Sequence, residues 1–262
     1  MIKKLGLQLY SVKGFIENEQ ELRETFRKLR EFGYTQIQTI RCKVPYAVFG
    51  TIASEEGIEI IGTHDSFDLM VEDFEQSLEN HRWLRTPNMG IGYRNFESAK
   101  EVESFIVQAN QVAKRAAEAG MKFTYHHHHH EFRRWENGKT TFDMLIEGLD
   151  PVNTSFVLDT FWIQRAGGDI RAWLEKLAGR VDILHLKDMK IELEPESGRY
   201  LSVATEVGGG NMNWELILET AQRTGVRYYV VEQDDNCSSE CFPSIRKSAE
   251  YLKQFQNQNY KE

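Results

Sequence analysis

The chain has 262 residues, 40 acidic against 32 Lys and Arg side chains, a formal net charge of −8, 40% hydrophobic residues, five prolines and three cysteines. This composition excludes a disordered chain and a disulfide framework, and the length suffices to bury one substantial core. No run of about eighteen apolar residues exists, the basic start MIKKLGLQLY lacks a signal core, and no basic stripe offsets the acidic surplus, so a cytoplasmic protein without membrane or nucleic-acid partners is expected.

Hydrophobic periodicity alternates between about two and about 3.6, with Gly or Pro at most changes. Leu5 to Tyr10 is a predicted strand, followed by a helix from Glu19 to Glu31 with Leu22, Phe26 and Leu29 on one face and Gly33 as its stop. Strand two is Tyr34 to Ile40, a helix runs from Pro45 to near Gly57, strand three is Ile58 to His64, and one charged helix from Asp68 to Arg85 precedes strand four, Met89 to Tyr93. Ser98 and Glu101 form a capping pattern ahead of a helix that ends at Gly120. Strands five to eight are Lys122 to His126, Ser155 to Asp159, Val181 to His185 and Tyr228 to Glu232, with helices near 141–149, 169–178, 213–224 and 243–255.

Eight strand and helix units in this length predict an α/β fold, a single (β/α)8 TIM barrel domain spanning residues 1–262. No G-x-G-x-x-G follows the first strand and no P-loop exists, which removes nicotinamide and ATP readings. Gly208 to Gly210 reads as a flexible loop, with a backbone cradle for a substrate phosphate as the alternative. Cys42, Cys237 and Cys241 lack a completing pair and read as bystander thiols.

The last four strands each end on a metal-ligand type: KFTYH at His126, SFVLD at Asp159, VDILH at His185 and YYVVE at Glu232. Matched strand ends point into one barrel mouth, where two imidazoles and two carboxylates suit a divalent transition ion. Taken singly, a core histidine, a turn-capping Asp and a solvated Glu explain His185, Asp159 and Glu232; at three equivalent strand ends the shared site is the better account. In the run His126 to His130 and the Glu131 that follows it, the ligand supplied by the fifth unit is His126, His128 or Glu131, and the sequence leaves all three open. Further candidates on the rim are Gln8, Tyr10, Gln38 and Trp162 as substrate contacts, and Lys187 and His64 as catalytic groups alongside Glu232 and Glu131.

The segments GLQLYSV, YHHHHHEF, LDTFWIQRAGGD, ILHLKDM, EVGGGN and VVEQD together resemble the xylose isomerase-like sugar phosphate isomerase/epimerase family over almost the whole chain. The resemblance implies a TIM barrel with one divalent ion (Mn, Zn, Co, Fe or Mg) on Asp159, His185, Glu232 and a fifth-strand residue, and by analogy a homodimer. Ketose epimerases of this superfamily typically carry Glu at that fifth-strand position, where this chain has His126. The YHxH form is more similar to inosose dehydratase-like and keto-glycoside-processing proteins, and Gln38 stands where relatives often carry Glu.

The expected reaction is removal of a proton α to a carbonyl on a sugar, sugar phosphate or cyclitol, with Glu232, Glu131 or a rim histidine as base and a Lewis-acidic ion stabilising the enediolate. Returning the proton gives an isomerase or epimerase; expelling a β-substituent gives a lyase acting on a keto-sugar or keto-inositol. A non-catalytic sugar-binding barrel and an endonuclease IV-like phosphodiesterase are the rival classes.

Overall fold

The computed structural model describes residues 2–234 and 240–256, so Cys237 lies outside the described residues. Its strands are β1 (Leu5–Gln8), β2 (Tyr34–Ile40), β3 (Glu59–His64), β4 (Asn88–Ile91), β5 (Lys122–His126), β6 (Thr154–Asp159), β7 (Val181–Leu186), an outlying pair β8 (Asp188–Glu194) and β9 (Arg199–Thr205), and β10 (Tyr228–Val231). Eight of them form a parallel sheet ordered β3-β2-β1-β10-β7-β6-β5-β4, while β8 and β9 pair antiparallel beside it. This is the TIM barrel expected from the sequence, closed except for a ladder between β3 and β4.

Side-chain bonds and one backbone bond close that seam. Asn88 Nδ2 donates to Ile61 O at 2.7 Å, Gly90 N to Thr63 Oγ1 at 3.0 Å, and Asp65 N to Gly90 O at 2.8 Å. Thr63 Oγ1 meets Nε2 of His81 at 2.9 Å, and the other ring nitrogen lies 2.7 Å from Ser77 O. Burial pushes the pKa of His81 down, so the neutral ring donates from Nδ1 to Ser77 O and accepts at Nε2 from Thr63 Oγ1.

The surrounding helices are α1 (Glu19–Phe32), α2 (Tyr46–Glu55), α3 (Phe67–Glu72), α4 (Phe74–Leu84), α5 (Ala99–Glu118), α6 (Thr141–Gly148), α7 (Thr160–Arg165), α8 (Ile170–Lys176), α9 (Trp214–Arg223) and α10 (Cys241–Leu252). In α1 the Asn18 side chain accepts from Glu21 N, Leu22, Phe26 and Leu29 are buried, and Gly33 ends the helix at φ 102°. Ser98 caps α5 through Glu101 N, but the Glu101 carboxylate reaches Glu97 N, so half of the expected capping box forms.

Two expected elements differ, and a hairpin appears where none was expected. The helix over Asp68 to Arg85 is broken at Asp73, whose side chain accepts from Gln76 N and starts α4 anew. β1 stops at Gln8, because Gln8 Oε1 accepts from Tyr10 N and turns the chain into a 3-10 segment, Leu9–Phe15. The stretch after β7 is the β8/β9 hairpin, in which Ile191 and Leu193 alternate with charged residues around a turn containing Pro195 and Gly198.

Inside the barrel, Ile61, Val157, Ile183 and Val230 form an apolar plug. Asp159, His185 and Glu232 each follow a plug residue by two positions, so strand alternation sets them on the same inner face, one layer nearer the C-terminal mouth. Close packing at the seam is tight at Gly90, where a Cβ would meet Thr124 Oγ1 at 2.2 Å and Thr63 O at 2.5 Å. Gly90→Ala is therefore expected to lower unfolding free energy by about 1–3 kcal/mol, measured by urea titration, and an unchanged midpoint would contradict this account of the seam.

Candidate metal centre

His126, Asp159, His185 and Glu232 are all buried, and one ligand atom from each lies within 4.8 Å of the others. His185 Nδ1 is 3.0 Å from Glu232 Oε2 and 3.7 Å from Asp159 Oδ2, and His126 Nε2 is 3.6 Å from the same Asp159 oxygen. His126 Nδ1 lies 3.1 Å from Gly92 O, so the ring donates there and turns the lone pair of Nε2 into the cluster. His126 Nε2 and Asp159 Oδ2 have no hydrogen-bond partner among the described residues. Buried acceptor atoms without a donor are costly, and a divalent cation would satisfy both at once, so the residues present fit such an ion.

Lys187 reaches the same carboxylates from behind. Its fully buried ammonium is 3.3 Å from Glu232 Oε2 and 3.7 Å from Asp159 Oδ2, and it is paired with Asp234. Burial opposes ionisation of Asp159 and Glu232, but Lys187 and His185 outweigh it and hold both carboxyls below the usual range. Burial likewise opposes charge on Lys187, yet Glu232, Asp159 and Asp234 raise its pKa. Burial and the Glu232 charge move Asp234 up to about 6. For His185, burial is outweighed by Glu232 and Asp159, which hold the ring at about 9.

The cluster opens into a cavity of about 720 Å³ whose lining includes Tyr10, His64, Tyr93, His126, His128 and Glu232. The sequence left the fifth-strand ligand open among three residues; His126 is the one that joins the set of four. His128 lines the cavity outside that set. Glu131 departs from its expected place as ligand or base: it is fully buried, with Oε1 accepting from Tyr125 OH at 2.9 Å and Oε2 from His128 N at 2.8 Å, and burial raises its pKa.

The rest of the histidine run divides other tasks. His127 packs on Phe142 with ring centres 4.8 Å apart and accepts from Asp159 N at 3.0 Å, burial lowering its pKa to about 3. His129 stacks on Trp162 at 5.0 Å. Trp162, expected to contact substrate, instead lies outside the cavity lining, with the Lys187 ammonium 4.8 Å from its ring centre. Gln8 and Gln38 are also displaced from the expected role: both are fully buried beneath the cluster, absent from the cavity lining, and Gln38 Oε1 is 2.6 Å from His185 Nε2.

Sequence reading missed Arg41, Asp65, Asp68 and Arg94, which line the outer cavity as ion pairs, Arg94 to Asp68 at 3.2 Å and Arg41 to Asp65 at 3.8 Å. It also misjudged the glycine loop. Gly208 N and Gly210 N donate to Asp188 Oδ2 at 2.9 and 3.2 Å, joined there by Trp214 Nε1 at 2.7 Å, so the loop cradles a buried carboxylate of its own chain and no substrate phosphate. A triple glycine downstream of a strand-end Asp was the available signal, since adjacent backbone N–H groups form an anion nest.

Fold and cluster together define a parallel β/α barrel with a mixed nitrogen and oxygen ligand set in its mouth. Residues 26–255 match the model of the xylose isomerase-like TIM barrel family, and the chain belongs to that family. An inosose dehydratase from Geobacillus thermodenitrificans (strain NG80-2) is 29% identical over 168 residues, covering 59% of this chain and 55% of that protein, so the match spans about half the relative's length. A sugar phosphate isomerase/epimerase from Parabacteroides distasonis ATCC 8503 has the same fold with a TM-score of 0.81 at 22% identity, covering 95% of this chain and 93% of that one. A probable 3-DHS dehydratase involved in petrobactin synthesis from Bacillus anthracis gives a TM-score of 0.70 at 13% identity, covering 98% and 100%.

Metal ligation requires neutral His185, whereas the carboxylates keep its ring protonated below about pH 9. Zn²⁺ uptake at pH 7 is therefore expected to release about one proton, with apparent affinity rising about tenfold per pH unit between about 6 and 8. Isothermal titration in buffers of different ionisation enthalpy measures this; a pH-independent affinity without proton release would contradict it.

Proposed function

We propose that this protein is a metal-dependent enzyme that removes a proton from the carbon beside a carbonyl of an uncharged sugar or cyclitol, in a reaction of the isomerase/epimerase type. The observation carrying this reading is the buried set His126, Asp159, His185 and Glu232, with two ligand atoms lacking partners among the described residues, at the base of the mouth cavity. These four would hold one divalent ion, which when bound supplies Lewis-acid polarisation of a substrate carbonyl.

Glu232 lines the cavity and, although burial opposes its charge, is kept ionised by Lys187, the state a proton-abstracting base requires. Asp234, raised to about 6 by burial and the Glu232 charge and paired with the same ammonium, offers the proton a second carboxylate. Lys187 stays charged across the working range, so its part is to stabilise developing negative charge and not to accept a proton. Among the described residues that line the cavity, Arg41 and Arg94 each have an aspartate partner, which supports an uncharged substrate.

A second reading, elimination of a β-substituent after the same proton removal, is favoured by two observations. The curated relative is an inosose dehydratase. The fifth strand presents His126 to the cavity and Glu131 is tied to Tyr125 and His128, so proton exchange between two carboxylates facing each other from β5 and β10 has no fifth-strand partner.

The test is solvent deuterium uptake at the carbon next to the carbonyl of neutral ketoses and keto-inositols, with Zn²⁺ or Mn²⁺ supplied. Asp159→Asn is expected to lose both ion and exchange with little change in fold; full exchange in that variant would refute the reading. Lys187→Met is expected to slow exchange by about 10²–10³-fold. Because it removes a buried positive charge beside two carboxylates, the same variant should bind Zn²⁺ at least as tightly, and a loss of Zn²⁺ would count against the role given to Lys187.

A further inference from the structure

Four side chains form one hydrogen-bonded line from the cavity wall to the cluster: His64, Gln8, Gln38 and His185. Its polarity is fixed at one point. The backbone N–H of Tyr10 can only donate, and it lies 3.0 Å from Gln8 Oε1, which must therefore be the carbonyl end of that amide. Gln8 Nε2 then has two hydrogens to give. One goes to Gln38 Oε1 at 3.2 Å and the other to His64 Nδ1 at 2.9 Å.

Each consequence follows from donor and acceptor chemistry. Gln38 Oε1 accepts on one side, and as a carbonyl oxygen it must also accept from His185 Nε2 at 2.6 Å, so His185 carries hydrogen on Nε2 and directs Nδ1 at Asp159 and Glu232. His64 Nδ1 is an acceptor, so a neutral His64 carries its hydrogen on Nε2. That Nε2 is buried, has no hydrogen-bond partner among the described residues, and belongs to a residue lining the mouth cavity. The ring is stacked on His126 with centres 5.0 Å apart and planes 18° from parallel, which holds the donor beside the ligand set.

We infer that Gln8, oriented by the Tyr10 amide, sets the tautomers of His64 and His185 together: His64 presents an Nε2–H donor to a substrate oxygen, while His185 keeps Nδ1 for the ion. Gln8 and Gln38 are positioning residues in this arrangement, and His64 is the group that touches substrate. The inference rests on the proposed function for what enters the cavity, but the relay is a property of the protein itself.

The test is a long-range ¹H–¹⁵N spectrum of the imidazoles in Zn²⁺-loaded protein without substrate. Nε2–H tautomers are expected for both His64 and His185. In Gln8→Glu the carboxylate still accepts from Tyr10 N–H but has nothing to donate, so His64 is expected to move its hydrogen to Nδ1 and His185 to lose its acceptor. Zn²⁺ affinity is then expected to fall by about 10–100-fold, the usual effect of losing a partner behind a metal ligand. An Nδ1–H tautomer of His64 in the unsubstituted protein, or spectra and affinity unchanged by Gln8→Glu, would overturn the relay. The unsubstituted spectrum decides even if the variant fails to fold. Absence of deuterium exchange with both Nε2–H tautomers present would sink the proposed reaction and leave the relay standing; exchange with the opposite tautomers would do the reverse.

Discussion

Two carboxylates, Asp159 and Glu232, are held out of water at the mouth of a barrel whose interior just below is aliphatic. Taking an ion from water into such a place costs several kcal/mol even after relaxation, and the neighbours must return most of it. Lys187 and His185 do so by placing positive charge within 3.0–3.7 Å of both acids. The balance is incomplete by design of the donors: one Asp159 oxygen and one His126 nitrogen keep their lone pairs unused among the described residues. A site with cationic partners enough to fold, yet with acceptors left over, is matched to a dication.

The barrel supplies this geometry through a simple register. Asp159, His185 and Glu232 stand two residues beyond Val157, Ile183 and Val230, so the alternation that buries the plug also aims the ligands. That part was legible in the sequence because it repeats: apolar residues running into a polar ligand at the end of each of the last four strands. Family membership was legible for a similar reason, since six ordered motifs constrain more than any one of them.

What escaped the sequence depends on contacts between distant segments. His126 and His128 share a parity, and what singles out His126 is a contact between strands, its Nε2 lying 3.6 Å from Asp159 Oδ2, which spacing along the chain does not show. Glu131 looked like a rim base until its carboxylate was found between Tyr125 and His128 N. Gln8 and Gln38 looked like sugar-binding amides because strand-end amides often are; their partners, Tyr10 N and the two histidines, are set by the abrupt end of β1 and by the β1–β2 register. Asp188 and the triple glycine lie about twenty residues apart around a hairpin whose existence the spacing alone did not show.

Anomalous diffraction from crystals grown with Zn²⁺, recorded on both sides of the zinc absorption edge, bears most directly on this picture. The expected result is one strong peak in the mouth, about 2.0–2.3 Å from His126 Nε2, His185 Nδ1 and an oxygen each of Asp159 and Glu232. A peak elsewhere, or density showing Lys187 occupying that position with the ion excluded, would contradict it.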